Sequence, residues 1–167
     1  DSDFDNLYKA HLSCRKGKRW KDSVACYDLR GFECTLYLQE LLKEGKYRLS
    51  DYNVFEINER GKKRVIKSVK YHDRVVQKCL MDEIITPMMG PKLISTNSAS
   101  QKGKGTDYAM KTLKKHLGQQ YRCGGGYILI CDMKGYFDSI PHELMNEMYA
   151  KTIKDEKVME LIRHIHD

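Results

Sequence analysis

The sequence predicts an α+β fold in which helices predominate and strands are few. Apolar residues recur at helical spacing through most of the chain, whereas one pair of short segments is typical of strands joined by a glycine-containing turn. A nearly unbroken apolar run from Tyr127 to Cys131 follows the glycines at 124–126 and is typical of a strand buried on both faces. The chain is therefore expected to carry one hairpin, one buried strand and several helices.

The first part of the chain is expected to be helical. After a short N-terminal helix, a long helix is predicted from Asp22 to Lys46, with a kink at Gly31 and an end at Gly45. The residues expected on its apolar face are Val24, Tyr27, Phe32, Leu36, Leu41 and Leu42.

A hairpin and a further helix are predicted next. Residues 52–57 and 63–66 are expected to pair across a turn supplied by Gly61. A helix should then run from Asp73 to about Ile85 and end before Pro87. Its expected inner face consists of Val75, Val76, Cys79, Leu80 and Ile84.

The second half of the chain is expected to contain three more helices. Thr106 is predicted to cap an amphipathic helix, another helix follows Pro141, and Asp155 is predicted to cap the last one. Apolar faces are expected at Ala109, Met110, Leu113 and Leu117 in the first, Leu144, Met145, Met148 and Tyr149 in the second, and Val158, Met159, Ile162 and Ile165 in the third.

Composition narrows the classes of function. The 167 residues include 30 Lys and Arg against 23 Asp and Glu, a net charge of +7 that favours a polyanionic partner. The 6 cysteines form no C-x-x-C pair, so neither a zinc site nor a disulfide framework is indicated. His164 and His166 lie on different faces of a helix, which argues against a histidine metal site. No apolar run approaches a membrane span and the N-terminus is acidic, so a cytoplasmic protein without membrane contact is expected.

Three basic segments are candidate phosphate sites. Residues 15–21 carry five cations around Trp20, although a solvated turn or a localisation signal explains them equally well. Lys62, Lys63 and Arg64 open the second hairpin strand, for which solvated surface cations are the alternative. Lys102 and Lys104 lie in a glycine-rich loop before a helix N-terminus, an arrangement that suits phosphate.

Asp132 is expected to face a cleft or a metal, because a carboxylate at the exit of a buried strand is costly to desolvate unless a cation, a donor or water meets it. A solvated strand-to-helix connection is the alternative. The string Asp-Met-Lys-Gly-Tyr-Phe-Asp-Ser-Ile-Pro-His that begins here closely resembles the first catalytic-aspartate motif of reverse transcriptases of bacterial retroelements. The resemblance implies that Asp132 binds catalytic Mg²⁺ through its side chain and Met133 through its carbonyl. It also implies that Phe137 excludes the 2′-hydroxyl and so selects deoxyribonucleotides.

Other segments are similar to the same family, which includes group II intron, diversity-generating and retron-like enzymes. The resemblance implies that Arg64 grips the triphosphate with help from Lys62 or Lys63, and that Lys102 and Lys104 contact the template backbone. The string at 73–77 is similar to one beneath the family's fingers hairpin. By that likeness Asp73 orients a neighbouring arginine, and Arg74 and Gln77 face the template. Residues 15–21 are similar to a basic string that the family uses on template or structured RNA.

The resemblance implies a helix-rich fingers subdomain with a β-hairpin, joined to the first strand and helices of a right-hand polymerase palm. The expected division is an N-terminal helical extension at 1–48, fingers at 49–122 and the start of the palm at 123–167. The chain is then expected to be part of an RNA-directed DNA polymerase that uses an RNA template, a primer, deoxyribonucleoside triphosphates and Mg²⁺. Contact with an RNA/DNA hybrid is expected, and so is a dimer through exposed fingers or palm surfaces.

Synthesis by this chain alone is not expected, because the family's second metal-binding motif, Tyr-x-Asp-Asp, does not occur in it. The alternative is a non-catalytic RNA-binding module, either maturase-like or defence-related, with a reverse-transcriptase-like fold. An RNA-directed RNA polymerase has a similar palm domain, but it normally has a small or polar residue at the position of Phe137.

Overall fold

The computed structural model describes residues 3–59, 61–136 and 139–166, and it confirms the α+β class. The chain divides into two compact units. The larger comprises residues 1–90 and 142–167, and the smaller comprises residues 91–141. No helix among the described residues is both long and apolar enough to cross a membrane.

The larger unit contains a helical first part, a hairpin and a helical end. Its elements are α1 (Phe4–Arg15), α2 (Asp22–Leu29), α3 (Gly31–Lys43), β1 (Asn53–Glu59), β2 (Lys62–Ser68), α4 (Tyr71–Leu80), a π-helical turn (Met81–Ile85), α5 (Thr86–Met89), α7 (His142–Ala150) and α8 (Glu156–His166). The smaller unit contains α6 (Thr106–Arg122), and a short 3₁₀ turn (Gly90–Lys92) precedes it in the chain.

The main core of the larger unit lies where α1, α2, α3 and α4 meet. Its fully buried members come from all four helices and from the segment after α3: Leu7, Ala10, Tyr27, Leu38, Tyr47, Val75, Val76 and Cys79. Burial of these side chains is the main source of stability for the first 80 residues or so, because each removes apolar surface from water. The predicted inner face of α4 is confirmed, with Ile84 half-buried against a second cluster.

The predicted long helix from Asp22 to Lys46 is wrong in one respect, since the chain breaks at Arg30 into α2 and α3. Gly31 is buried against α1, and a Cβ there would lie 3.4 Å from Nε2 of His11. The break changes the helical phase, so Phe32 and Leu36, predicted to face inward, are exposed and Leu38 is buried instead.

The hairpin is confirmed and is longer than predicted. Seven residue pairs join β1 to β2 in antiparallel register, from Asn53 opposite Ser68 to Glu59 opposite Lys62. Gly61 has φ +77°, the left-handed conformation that a tight hairpin turn requires. Pro87 lies inside α5 rather than beyond a helix end, because the π-helical turn carries the helix past Leu80.

A second core joins α8 to the end of α4. Ile153, Met159 and Ile162 are buried with Leu80, and Val158 and Ile165 pack against them. The predicted cap is confirmed, because Oδ1 of Asp155 accepts hydrogen bonds from the amides of Lys157 at 2.9 Å and Val158 at 3.2 Å. In α7, Leu144 and Met148 are exposed, contrary to the prediction, while Met145 and Tyr149 are half-buried.

The smaller unit differs most from the prediction. The predicted buried strand from Tyr127 to Cys131 is wrong, because this segment has no regular secondary structure and its side chains are exposed, Leu129 by 86% and Ile130 by 88%. A buried strand needs neighbours on both edges and both faces, and the sheet of the described residues contains only β1 and β2. Thr106 is the first residue of α6 rather than its cap. The predicted apolar face of α6 is wrong, because Met110, Leu113 and Leu117 are exposed and Ala109 is half-buried.

Candidate nucleic-acid interface

The hairpin carries the candidate triphosphate-binding residues on two different faces. Side chains alternate along a strand, so Lys62 and Arg64 share one face and Lys63 lies on the other. All three are exposed. Of the two lysines predicted to assist Arg64, only Lys62 is therefore on the same side of the sheet.

Arg64 is held by a carboxylate of the opposite strand. Its Nη1 lies 3.1 Å from Oε2 of Glu59, and both side chains are more than half exposed. An exposed pair of this kind contributes little to stability, so the guanidinium can exchange the carboxylate for a phosphate at small cost. Glu59 also orients the guanidinium before any ligand arrives.

The start of α4 lies two residues after β2. Arg74 is half-buried and donates a hydrogen bond of 3.2 Å from Nη2 to Oγ of Ser68, which ties it to the end of the hairpin. Gln77 is half-buried one turn later. Neither residue is fully buried, so both retain surface through which a template could be contacted.

Asp73 was expected to orient an arginine, and this prediction is wrong. Its carboxylate is completely buried and accepts hydrogen bonds from the hydroxyl of Tyr47 at 2.7 Å and the amide of Ser50 at 3.3 Å. Nε2 of His72 lies 3.5 Å from the second oxygen. Asp73 therefore fixes the segment that leads from α3 into the hairpin, and through it the base of β1.

The loop at 101–105 gives its two lysines different environments. Nζ of Lys104 donates a 3.1 Å hydrogen bond to the carbonyl of Ser95 and lies 5.3 Å from the ring centre of Tyr108. The hydroxyl of Tyr108 donates to the same carbonyl at 2.8 Å. Lys102 is exposed and has no hydrogen bond or ion pair to any residue that the structure describes. Lys104 is thus part of the loop's own structure, whereas Lys102 is available to a ligand.

Asp132 and Met133 lie in the exposed segment of the smaller unit, directly before a turn that includes Gly135 at φ +63°. Met133 is 68% exposed. Phe137, expected to read the sugar of the nucleotide, lies outside the described residues. The predicted roles of these three residues remain predictions.

A two-metal centre requires at least two carboxylates that converge on the ions. Across 3–59, 61–136 and 139–166, no group of three or more His, Cys, Asp or Glu side chains is arranged to hold a metal ion. Asp132 and the carbonyl of Met133 do not by themselves make such a centre.

A buried histidine network, which the sequence did not reveal, organises the first basic segment. Nε2 of His11 lies 3.1 Å from Oδ1 of Asp28, and Nδ1 lies 3.1 Å from the hydroxyl of Tyr71. Because a carboxylate only accepts, a neutral His11 carries its proton on Nε2. The single hydroxyl proton of Tyr71 is then shared between Nδ1 of His11 and the carbonyl of His11, which lies 3.3 Å from the hydroxyl. Arg15 and Arg19 also donate to Asp28. Two of the five cations at 15–21 are therefore structural.

The charge state of this network follows from its burial. Desolvation lowers the pKa of His11 below its ordinary value and outweighs the opposing effect of the hydrogen bond that His11 donates to Asp28. Burial alone would raise the pKa of Asp28, but hydrogen bonds from Arg15 and His11 hold it below its ordinary value. At neutral pH the network is thus a neutral imidazole and a carboxylate neutralised by arginine.

The predicted site residues fall into both units. The larger unit contains Lys62, Lys63, Arg64, Arg74 and Gln77, and the smaller contains Lys102, Lys104, Asp132 and Met133.

Compared with known proteins, the chain matches no family model and no curated sequence. The likeness to reverse transcriptases therefore rests on the motifs described above.

Proposed function

We propose that this chain provides the fingers and the beginning of the palm of an RNA-directed DNA polymerase. In this proposal the hairpin receives the triphosphate of an incoming deoxyribonucleotide, and the basic loop at 101–105 follows the template strand. The catalytic Mg²⁺ ions would be shared between Asp132 and carboxylates supplied from elsewhere in the enzyme.

The observation that carries the proposal is the construction of the hairpin. Its exposed second strand presents Lys62 and Arg64 on one face, and its base is fixed by the buried carboxylate of Asp73. A guanidinium binds phosphate oxygens in pairs and keeps its charge at every accessible pH, which suits a group that must hold a triphosphate through the reaction. Because its base is anchored, the hairpin can hold Lys62 and Arg64 at a fixed position.

An RNA-binding module without synthesis is the second candidate. It is favoured by the exposed lysines Lys62, Lys63 and Lys102, none of which forms an ion pair with another described residue, because binding to a phosphate backbone needs cations but no metal centre. The two candidates predict the same RNA binding. They differ in whether the hairpin recognises a nucleoside triphosphate.

The proposal can be tested with the purified 167-residue chain and an RNA/DNA hybrid that has a recessed primer end. The chain should bind the hybrid with an affinity that falls steeply with salt, and addition of the complementary deoxyribonucleoside triphosphate should tighten the complex. Primer extension is not expected from this chain, since it has one candidate catalytic carboxylate.

The variant Arg64→Ala should abolish the tightening by triphosphate and leave most of the hybrid affinity in place. Lys151→Ala removes an exposed lysine that follows α7 and is the matched control for loss of one charge. Tightening that survives in Arg64→Ala would contradict the polymerase proposal. Hybrid binding without any response of the original chain to the triphosphate would favour the RNA-binding module.

A further inference from the structure

A cavity of about 790 Å³ opens in the larger unit, beside α2 and the start of α4. Its wall includes Lys18, Lys21, Arg30, Lys70 and Arg74, and none of the described aspartates and glutamates lines it. Ligand pockets usually measure about 300–1,000 Å³, so the cavity is large enough for a nucleotide and too small for a duplex.

The five cations of this cavity differ from several other cations of the same unit, which are paired with carboxylates. Arg15 and Arg19 are paired with Asp28, and Arg64 with Glu59. Among the described residues, no carboxylate forms an ion pair with any of the five cavity cations. Like charges around one concave, low-dielectric surface raise its positive potential, and that potential attracts an anion.

Two helix N-termini lie at the cavity wall, and the first turn of each also carries a carboxylate, Asp22 in α2 and Asp73 in α4. Lys21 directly precedes α2 and Lys70 directly precedes α4, and neither helix has a side-chain cap. Ser23 in the first turn of α2 and His72 in the first turn of α4 also line the cavity. First-turn amides without a cap are available as donors to a bound anion.

The rest of the wall suits the remainder of a nucleotide. Val24, Leu29 and Val69 contribute apolar surface, and Tyr71 contributes an aromatic ring. Leu29 is 86% exposed. A base or a sugar packed on this part of the wall would cover that surface while the phosphates meet the cations.

We propose that this cavity is a binding site for the phosphates of a nucleotide, either free or within a single-stranded nucleic acid. Arg30 and Arg74 can each bind two phosphate oxygens through the guanidinium fork, and the three lysines supply point charges. The combined charge of the wall matches a diphosphate or triphosphate, or two successive phosphodiesters, better than a single carboxylate.

This site is distinct from the hairpin cations of the proposed polymerase. Asn53 and Ser68, which line the cavity, are paired at the open end of the hairpin, whereas Lys62 lies at its turn. Ser68 lies six strand positions from Lys62, a distance of about 20 Å. Lys18, Lys21 and Arg74 of the wall belong to segments likened above to ones that contact template or RNA, so binding of a single strand here rests on the proposed function. Binding of a free nucleotide does not rest on it.

Trp20, the single tryptophan of the chain, provides a direct measurement. It is 78% exposed, and the Nζ of Lys21 lies 5.2 Å from its ring centre. A ligand that engages Lys21 should therefore change the fluorescence of Trp20. ATP is the probe for a free nucleotide, and an oligouridylate of about eight nucleotides is the probe for a single strand, within the usual range of site sizes.

The double variant Arg30→Ala, Lys70→Ala removes two exposed cations from the cavity wall without touching the core. Loss of each charge-assisted contact should weaken binding about ten-fold for whichever of the two probes, ATP or the oligouridylate, binds the original chain. Lys9→Ala and Lys151→Ala, which remove single exposed lysines outside the cavity, should leave that affinity nearly unchanged. Circular dichroism of the double variant establishes that it is folded.

A saturable response to ATP assigns the site to free nucleotides, and a response to oligouridylate alone assigns it to single strands. Either result, together with the loss in the double variant, supports the site. The inference is overturned if neither probe binds, if the folded double variant binds as the original chain does, or if the control variants lose as much affinity as the double variant. The triphosphate response at Arg64 is a separate measurement, so failure of one proposal leaves the other standing.

Discussion

The hydroxyl of Tyr47 donates a 2.7 Å hydrogen bond to a carboxylate of Asp73 that has no contact with solvent. Tyr47 follows α3 and Asp73 lies in the first turn of α4, so this bond joins the two sides of the hairpin's base. Burial, with the neighbouring carboxylate, raises the pKa of Tyr47 far above its ordinary value, and the phenol remains a donor at all physiological pH values.

The first prediction concerns this bond. Tyr47→Phe keeps the ring in the core but removes one of the donors to a buried carboxylate, which should lower the free energy of unfolding by about 1–3 kcal/mol. Urea denaturation measures the change. Tyr37→Phe, at an exposed position of α3, is the control and should have almost no effect. Equal stabilities of Tyr47→Phe and the original chain would mean that Asp73 is satisfied without Tyr47.

The parts of the fold that the sequence predicted well are those decided by local patterns. The inner face of α4, the turn at Gly61 and the cap at Asp155 each depend on residues a few positions apart, and the structure confirms them. The spacing of apolar residues and the choice of turn residues are sufficient to predict these features, because they do not depend on contacts with distant parts of the chain.

The parts that could not be predicted depend on distant partners. The chain breaks at Arg30, where Gly31 packs closely against His11, twenty positions earlier. The pairing of His11 with Asp28 leaves no pattern in the sequence, and neither does the clustering of Arg30, Lys70 and Arg74 around one cavity. The run at 127–131 is apolar, but a local apolar pattern does not show whether other strands of the fold pair with it.

A second prediction follows from the buried imidazole. Between the ordinary histidine pKa of 6.5 and the lower value of His11 in the folded protein, the unfolded chain binds a proton that the folded protein does not. The free energy of unfolding should therefore be greatest above pH 6.5 and should fall as the pH decreases through this window. Thermal denaturation between about pH 5 and 8 measures the slope.

The variant His11→Gln tests the origin of that slope. Glutamine can still donate to Asp28 and accept from Tyr71, but it does not titrate. The variant should be less stable than the original chain at pH 8, and its stability should fall less as the pH decreases below 6.5. Parallel pH profiles of the two proteins would show that another group is responsible.

A third prediction separates the two lysines of the glycine-rich loop. If Lys102 contacts the backbone of bound RNA, Lys102→Ala should reduce the slope of log affinity against log salt by about one unit, with no change of sequence preference. Lys104 is already bonded to the carbonyl of Ser95, so Lys104→Ala should change the slope less. Lys115→Ala, at an exposed position of α6, is the matched control. An unaltered slope in Lys102→Ala would mean that this loop is a solvated surface segment and that Lys102 does not contact RNA.

The last prediction concerns a polymerase that contains this chain, and it compares Phe137 with Asp132. An aromatic ring five residues after the candidate metal ligand is expected to exclude the 2′-hydroxyl, so Phe137→Ala should strongly raise incorporation of ribonucleotides while use of deoxyribonucleotides falls only modestly. Asp132→Asn should instead abolish incorporation of both sugars and leave template binding intact, because a carboxylate that binds the catalytic metals stabilises the transition state for every nucleotide. Single-nucleotide incorporation with each sugar, beside a template-binding assay, distinguishes the two effects. If Phe137→Ala left the discrimination between sugars unchanged, Phe137 would be a packing residue, and the motif would have lost its role in choosing the sugar.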